Sequence, residues 1–333
     1  MGSSTTLVDE AASSSGFSGV VRVDRAGETV LARAYGLADR AHEVPNTVET
    51  QFATASATKT LTALAVMALV EQGRLALDTT ARSLLRDDLP LIADDVTVEH
   101  LLAHRSGIGD YFDEDTVQDV TEFLMPVPVH ELVTTEQWLP VLDGHDTVFR
   151  AGERFSYNNS GFVLLALLAE RASGTAFHEL IRTLVCAPAG MVDTAFLRSD
   201  ELPGRAARGY LAVDGLRTNV LQLPVVGTGD GGIYSTVADL SRFWEALSAG
   251  RVVPLDRLAE MLRPHSDWPE EDRRYGLGFH LHATTDTVWL EGYDAGVSFA
   301  SVRRPSSATT YTVISNWTDG AWPVVRAVND AAW

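Results

Sequence analysis

Apolar and polar positions alternate near the start of the chain. Residues 19–23 and 29–35 both follow a period of two, and the polar stretch 24–28 separates them. Such alternation is typical of strands with one buried face, and a short polar link joins strands into a hairpin. We therefore expect an N-terminal β-hairpin that begins an antiparallel sheet.

The pattern changes to a helical one at Ser56. It continues to Glu71, contains an apolar run from Leu61 to Val70, and is followed by Gly73. Glycine is common just beyond a helix end. The apolar run is too short to span a bilayer. The pattern therefore predicts a helix that is buried in the protein core.

Helical stretches alternate with loops in the middle of the chain, and strand patterns return near its end. Helices are expected at 162–173, 238–249 and 324–333, and strands at 276–282, 287–291, 298–303 and 310–315. Both ends of the chain then contribute to one sheet. We predict an α/β (α+β) fold in which residues 1–80 and 225–333 form a discontinuous sheet domain. Residues 81–224 form a mainly helical inserted domain, and the active site lies between the two.

Charge and composition narrow the function. The 333 residues include 45 acidic and 26 basic side chains, which give a net charge of -19. Nucleic acid and anionic membranes are poor partners for such a surface. Cys186 is the one cysteine, and the histidines lack the spacing of metal ligands. We expect no metal and no cofactor.

The first 17 residues are rich in serine, threonine and acidic residues. They contain neither the basic nor the apolar segment of a secretory signal. We therefore expect a cytoplasmic location, which would change to secretion if the natural N-terminus had been trimmed.

Lys59 is the one lysine among the 26 basic residues, and it stands three positions after Ser56. Arginine does not release its proton at working pH, whereas a lysine amine whose pKa is lowered can act as a base. On a helix, residues three apart share a face. Ser56 and Lys59 are therefore a candidate nucleophile and base. The alternative is that the source organism simply uses arginine in place of lysine, and that Lys59 is an ordinary surface lysine without a catalytic role.

Two motifs in sequence order carry a family resemblance. Ser56-Ala57-Thr58-Lys59 matches S-x-x-K, and Tyr157-Asn158-Asn159 matches Y-x-N. Residues 17–320 resemble the serine β-lactamase and penicillin-binding protein superfamily, most closely its branch of class C β-lactamases, D-amino-acid peptidases and related esterases. Segments 98–108 and 231–240 are similar to further landmarks of that family.

The resemblance implies roles for these residues. Ser56 attacks a carbonyl carbon, Lys59 and Tyr157 handle its proton, and an acyl-enzyme forms and is hydrolysed. A cation near Tyr157 would lower its phenol pKa and make it a phenolate base, and either residue could be the base. Asn159 is expected to bind a substrate amide or Lys59. His104 is expected to be a structural turn residue.

The third family motif is altered. Segment 291–297 lies where the family has a lysine or histidine, a small residue and a glycine. Tyr293 stands in the cationic position and Ala295 in that of the glycine, and the Gly296 N–H is expected to join the Ser56 N–H in an oxyanion hole. A charge-assisted contact contributes about 1.5–3 kcal/mol, so selection of substrate carboxylates should be weaker unless Arg303 substitutes. Tyr293 could instead only pack.

These features predict a serine hydrolase that acts on carboxylic esters or small amides through an acyl-serine intermediate. The alternatives are a β-lactamase or D,D-carboxypeptidase/D-aminopeptidase, an acyltransferase, and a non-catalytic binding scaffold. The expected partner is a small ester, amide or lactam. No motif sets the oligomeric state, and the natural substrate depends on loops at 108–148 and 205–228.

Overall fold

The computed structural model describes residues 2–114, 116–331 and 333. Within these ranges the strands, in chain order, are β1 Gly19–Arg25, β2 Glu28–Tyr35, β3 Leu37–Asp39, β4 Val44–Pro45, β5 Phe52–Ala53, β6 Tyr234–Ser235, β7 Ser266–Trp268, β8 Arg273–Tyr275, β9 His280–His282, β10 Val288–Asp294, β11 Val297–Arg304 and β12 Thr309–Ser315.

One large antiparallel sheet has the strand order β2-β1-β12-β11-β10-β9-β8-β7. The predicted N-terminal hairpin is confirmed, with Val20 opposite Ala34. On its other side β1 pairs with β12, so that Val20 also lies opposite Ile314. The two ends of the chain therefore meet in the sheet, and the predicted antiparallel α+β fold is confirmed.

The helices of the described chain are α1 Gly2–Ser15, α2 Thr58–Glu71, α3 Ala81–Leu85, α4 Val98–Leu102, α5 Leu139–Leu142, α6 Asn159–Ser173, α7 Phe177–Leu180, α8 Ala187–Ala189, α9 Val237–Ser248, α10 Leu255–Met261 and α11 Ala321–Asp330. A 3-10 turn, Ala55–Ala57, leads into α2, and a π-helical segment, Ile181–Cys186, joins α7 to α8. The split into two domains at 80 and 224 stays a prediction.

Both faces of the large sheet are buried. Val20, Phe299 and Ile314 point into the main core with α2, α6 and α9, whereas Val21 and Val313 point into a second core with α1 and α11. Neighbouring residues of a strand point to opposite faces. The alternating pattern of the sequence therefore places one set of side chains in each core.

Helix α2 lies inside the main core. Its residues from Thr58 to Leu69 are all buried, and Gly73 follows its end with a φ of +66°. A helix that is buried on all sides needs neighbours on all sides. Gly278 is one of them, because its φ is +83° and an added Cβ would overlap the Cβ of Ala63.

The predicted helix 324–333 is displaced by three residues, to α11 Ala321–Asp330, and the structure differs more in two other places. The expected strand 276–282 is wrong for its first half, because the chain folds back between β8 and β9, where Gly276 N–H donates to the Phe279 carbonyl. Helix α1 was not predicted from its serine-rich sequence. It is held by a short apolar face in which Val8 and Ala12 pack into the second core.

Among the described residues, no helix combines the length and the apolar character that crossing a bilayer requires.

Candidate active site

The nucleophile candidate lies where β5 leads into α2. Ser56 is in the 3-10 turn, half-buried, and follows Ala55, whose φ is +45°. A left-handed conformation is unusual for a residue with a side chain, and such residues often occur at functional sites. The turn directs the Ser56 hydroxyl toward Lys59, one helical turn further on.

Lys59 makes three hydrogen bonds through its amine. Nζ donates to Ser56 Oγ at 2.9 Å, to Asn159 Oδ1 at 2.7 Å and to the Asp230 carbonyl oxygen at 2.8 Å. The side chain is 2% exposed. Burial lowers the pKa of Lys59, although the charge of Asp230 and of other acids nearby opposes the shift. The amine is therefore fixed beside the hydroxyl, and burial makes its ammonium form release a proton more readily than that of an exposed lysine.

Tyr157 lies close to both Ser56 and Lys59. Its hydroxyl interacts with the Ser56 side chain, and Lys59 Nζ lies 5.0 Å from the centre of its ring. Burial raises the pKa of Tyr157 well above its usual value, and the negative charge of Glu114 adds to the shift. The predicted lowering of this pKa is therefore wrong. The tyrosine brings a protonated hydroxyl to the site.

Asn159 orients Lys59. Its Oδ1 accepts from Lys59 while its Nδ2 donates to the Phe112 carbonyl at 2.8 Å and to Glu114 at 3.3 Å. Both ends of the amide thus have partners that fix its orientation. The predicted contact between Asn159 and Lys59 is present in the structure.

Asp110, which the sequence reasoning missed, holds the start of α6. Its carboxylate accepts from the backbone N–H of Asn159 at 2.6 Å and of Ser160 at 2.8 Å, and Asn158 Oδ1 accepts from Gly161 N–H at 2.7 Å. The first N–H groups of a helix lack partners within the helix. The side chains of Asp110 and Asn158 accept hydrogen bonds from these N–H groups and so fix the position of the Y-x-N motif. No local pattern near Asp110 indicates this role.

His104 is a structural residue, as expected. Its φ is +54°, and its Nδ1 accepts from the Asn158 N–H at 3.1 Å. Its ring centre lies 4.4 Å from that of Tyr157. Burial lowers its pKa well below the usual value, so the imidazole ring is neutral. The ring packs against that of Tyr157.

The structure contradicts the predicted oxyanion role of Gly296. Ala295 and Gly296 form the turn between β10 and β11, with Asp294 opposite Val297. The Gly296 N–H donates to Thr318 Oγ1 at 3.0 Å. Ala295 is fully buried, and its carbonyl accepts from Asn219 Nδ2 at 2.8 Å. Neither residue offers a free donor beside Ser56.

Gly292 is the glycine that lies against the nucleophile. An added Cβ would overlap the Thr54 carbonyl oxygen and lie 3.1 Å from Ser56 N. Gly292 is opposite Phe299, which points into the main core, so both lie on the face that meets α2. The predicted position of the third motif is therefore too close to the turn. The segment 291–297 contains two glycines, Gly292 and Gly296, and only packing distinguishes them.

Tyr293 borders the site at the position where the family has a cation, and it supplies no positive charge. Its side chain is 40% exposed, and partial burial raises its pKa to about 12, with Asp319 contributing. Arg303, the suggested substitute cation, is opposite Val288 and donates to Thr310 Oγ1. It lies four residues from Gly292, about 13 Å along the sheet. Arg303 therefore does not replace the missing cation.

A depression that we call the Ser56 cleft opens on the nucleophile. It is lined by Ser56, Tyr111, Phe112, Glu114, Phe123, Met125, Asn159, Gln222, Leu223, Pro224, Asp230, Gly231, Tyr293 and Asp294. Three of these side chains are carboxylic acids. Burial raises the pKa of Asp294 to about 7, and the neighbouring Asp230 and Glu114 add to the shift. The cleft is therefore acidic.

Among the described residues, no group of three or more histidine, cysteine, aspartate or glutamate side chains is arranged to hold a metal ion.

A serine site built from S-x-x-K and Y-x-N beside an antiparallel sheet is typical of a class of acyl-transferring serine proteins. The chain belongs to the beta-lactamase family, because the family model matches residues 5–329.

Individual relatives agree with the family match. Esterase EstB of Burkholderia gladioli is 31% identical over 298 residues, which cover 80% of this chain and 75% of EstB. A penicillin-binding protein of Bacillus subtilis (strain 168) is 29% identical over 295 residues, covering 84% of this chain and 63% of that protein. The chain therefore spans less than two thirds of the latter's length.

A solved structure agrees over the whole fold. The crystal structure of a penicillin binding protein from Bacillus halodurans superposes with a TM-score of 0.90 at 33% sequence identity. The superposition covers 97% of this chain and 99% of the Bacillus halodurans chain.

Proposed function

We propose that this protein is a serine hydrolase that cleaves carboxylic esters or small amides through an acyl-Ser56 intermediate. The observation that carries the proposal is the 2.9 Å hydrogen bond between Lys59 Nζ and Ser56 Oγ. Two further hydrogen bonds, to Asn159 and Asp230, hold the amine in place. A nucleophile within reach of a fixed base is the arrangement that covalent catalysis needs.

Lys59 is the general base in this mechanism. Its pKa is lowered by burial while that of Tyr157 is raised, so the amine is the group that more readily offers a lone pair. The neutral amine takes the proton of Ser56 Oγ as that oxygen bonds to the substrate carbonyl carbon. The Tyr157 hydroxyl then relays a proton from the Lys59 ammonium to the leaving group. Water releases the acid from Ser56 by the same steps.

The oxyanion of the tetrahedral intermediate needs two donors. The Ser56 N–H is one of them. We assign the other to the backbone of β10 at Gly292 and Tyr293, because this stretch lies against Ser56 N and the Gly296 N–H is already donated to Thr318. Tyr293 would then contribute through its backbone, and its side chain would form the rim of the cleft.

The β-lactamase and D,D-carboxypeptidase alternatives are less well supported. Their substrates carry a carboxylate, whereas the cleft lining presents three carboxylic acids and, within the part of the chain that the structure describes, no arginine or histidine. Those of the acids that are ionised repel a substrate carboxylate where water is partly excluded, and the described lining supplies no positive charge to offset this. A non-catalytic binding scaffold would not need the three hydrogen bonds that hold Lys59. No observation favours an acyltransferase over a hydrolase.

Turnover of p-nitrophenyl butyrate tests the proposal. We expect hydrolysis by the wild-type protein and at least a hundredfold lower kcat/KM for Lys59→Arg, which keeps the charge but loses the titratable amine. Because arginine is larger than the buried lysine, Lys59→Met is the second variant, and thermal unfolding verifies that each is folded. Retained turnover in a folded variant would refute the role of Lys59.

A further inference from the structure

A second groove opens on the surface beside helix α11. We call it the β10–α11 groove, because β10 and the neighbouring strands β11 and β12 form one side and α11 forms the other. Its volume is about 380 Å³, which is within the usual range of small-molecule sites. Among the described residues, its lining shares no member with that of the Ser56 cleft. The groove is therefore a separate candidate binding site.

Cross-strand pairing forms the floor of this groove. Trp289 of β10 lies opposite Val302 of β11, and Val302 lies opposite Tyr311 of β12. Residues that are directly opposite one another lie on the same face of a sheet. All three belong to the second core or pack against it, and they also line the groove. A small side chain between two aromatic rings leaves a trough that fits a flat apolar group.

One face of α11 forms the opposite wall. Trp322, Val325, Arg326 and Asn329 line the groove, and spacings of three and four residues place them on one side of the helix. Arg304 of β11 reaches this wall, because its Nη2 donates to Asn329 Oδ1 at 2.8 Å. Arg326 lies one helical turn before Asn329. The two arginines therefore approach each other at one end of the groove.

The fixed charge of the groove lining comes from three arginines and one acid, Arg273, Arg304, Arg326 and Glu291. Arg273 and Glu291 form an ion pair at 2.9 Å. The ion pairs of the described residues include neither Arg304 nor Arg326. A guanidinium group carries five N–H donors in a planar fork. Two positive groups therefore keep donors that no acid of the described chain takes up.

This positive end of the groove contrasts with the whole chain, whose net charge is -19. A long polyanion such as nucleic acid would also meet the acidic surface around the groove and be repelled. A small anion with one charge would interact mainly with Arg304 and Arg326, because salt screens charges more than about 10 Å away. Arginine binds a carboxylate through two parallel hydrogen bonds. A ligand that fits the groove thus combines a flat apolar group with one carboxylate.

We propose that the β10–α11 groove binds a small aromatic carboxylate. The carboxylate accepts hydrogen bonds from Arg304 and Arg326, and the aromatic ring lies against Trp289 and Val302. This site is distinct from the Ser56 cleft, and the proposal does not depend on the hydrolase function, because no residue of the groove takes part in the proposed reaction.

Isothermal titration calorimetry with three probes tests the proposal. They are 2-naphthoate, 2-naphthylmethanol, which has the same ring system but no charge, and acetate, which has the carboxylate but no ring. We expect 2-naphthoate to bind with a Kd below about 1 mM and at least tenfold more tightly than either of the other probes. Added salt should weaken the binding of 2-naphthoate and leave that of the alcohol nearly unchanged.

The variants Arg304→Gln and Arg326→Gln locate the site. Each should raise the Kd for 2-naphthoate at least fivefold and change the Kd for 2-naphthylmethanol less than twofold, with thermal unfolding to verify that each variant is folded. Arg251→Gln is the matched control, because Arg251 is exposed and lies outside the groove lining. The Ser56 cleft has no arginine in its described lining, so binding there would not respond to either substitution.

Three results would overturn the proposal. A Kd for 2-naphthoate above about 1 mM would show that the groove is not a binding site for such acids. Equal affinities for 2-naphthoate and 2-naphthylmethanol would show that the arginines do not recognise the carboxylate. Unchanged binding of 2-naphthoate in both folded arginine variants would place the ligand elsewhere. None of these results bears on Ser56, so the hydrolase proposal is tested separately.

Discussion

At the scale of single residues, the site depends on the opposite effects of burial on the pKa values of Lys59 and Tyr157. Both lie beside Ser56, yet burial lowers the pKa of the amine and raises that of the phenol. Desolvation disfavours whichever form is charged. The same environment therefore increases the share of the lysine amine that is neutral and able to accept a proton, and it keeps the tyrosine protonated. The sequence motifs alone left this choice open.

The pH dependence of ester hydrolysis follows from this assignment. The pKa of Lys59 lies below 10.5 in the folded protein, and only the neutral amine can take the Ser56 proton. The value of kcat/KM for p-nitrophenyl butyrate should therefore rise with pH and level off below 10.5. A rate that falls as pH rises from 6 to 9, with the protein still folded, would contradict Lys59 as the base.

The sequence predicted Ser56, Lys59, Tyr157 and Asn159 by their motif spacing, and the structure brings these four together. It could not predict Asp110, Glu114 or Asp230, because these acids reach the site from loops that no periodic pattern describes. Their partners are 45 to 171 positions away in the chain. Such contacts exist only after the chain has folded.

At the scale of secondary structure elements, the approach of β10 to the nucleophile turn decides the geometry of the site. Gly292 permits this approach because any side chain there would meet the Thr54 carbonyl. The sequence correctly indicated β10, β11 and β12 from their alternation, but it could not set which glycine of 291–297 faces Ser56. That choice depends on where the hairpin turns, at Ala295 and Gly296.

Replacing Gly292 by alanine should therefore impair the reaction. The added Cβ would push β10 away from Ser56, and loss of one oxyanion donor lowers kcat by about a hundredfold or more. We expect kcat/KM for p-nitrophenyl butyrate to fall at least tenfold in Gly292→Ala. Gly204→Ala is the control, because nothing lies within 4 Å of an added Cβ there. Equal activity of the two variants would show that β10 does not form the site.

At the scale of the whole molecule, the two cores hold different parts of the chain. The main core surrounds α2 and positions Ser56 and Lys59, whereas the second core fixes α1 and α11 to the outer face of the sheet. The hairpin and the buried helices followed from hydrophobic periodicity. Helix α1 could not be predicted in this way, because its sequence is dominated by small polar residues and only a few of its side chains pack into the second core.

A pair of substitutions in α1 tests the second core. Val8 is 0% exposed and Leu7 is 42% exposed. Burying an unpaired charge is strongly unfavourable, whereas changes at exposed positions are usually within about 0.5 kcal/mol. We expect Val8→Asp to lower the free energy of unfolding by more than about 2 kcal/mol and Leu7→Asp to leave it nearly unchanged in urea titrations. Similar losses in both would contradict the packing of α1.

The central claim is that Ser56, activated by Lys59, forms a covalent acyl intermediate. Peptide mass spectrometry after reaction with a fluorophosphonate tests it most directly, because the reagent records which residue is the nucleophile. We predict an adduct on the peptide that contains Ser56, its absence in Ser56→Ala, and a strongly reduced yield in Lys59→Met. An adduct on another residue, or one that persists in Ser56→Ala, would contradict the account.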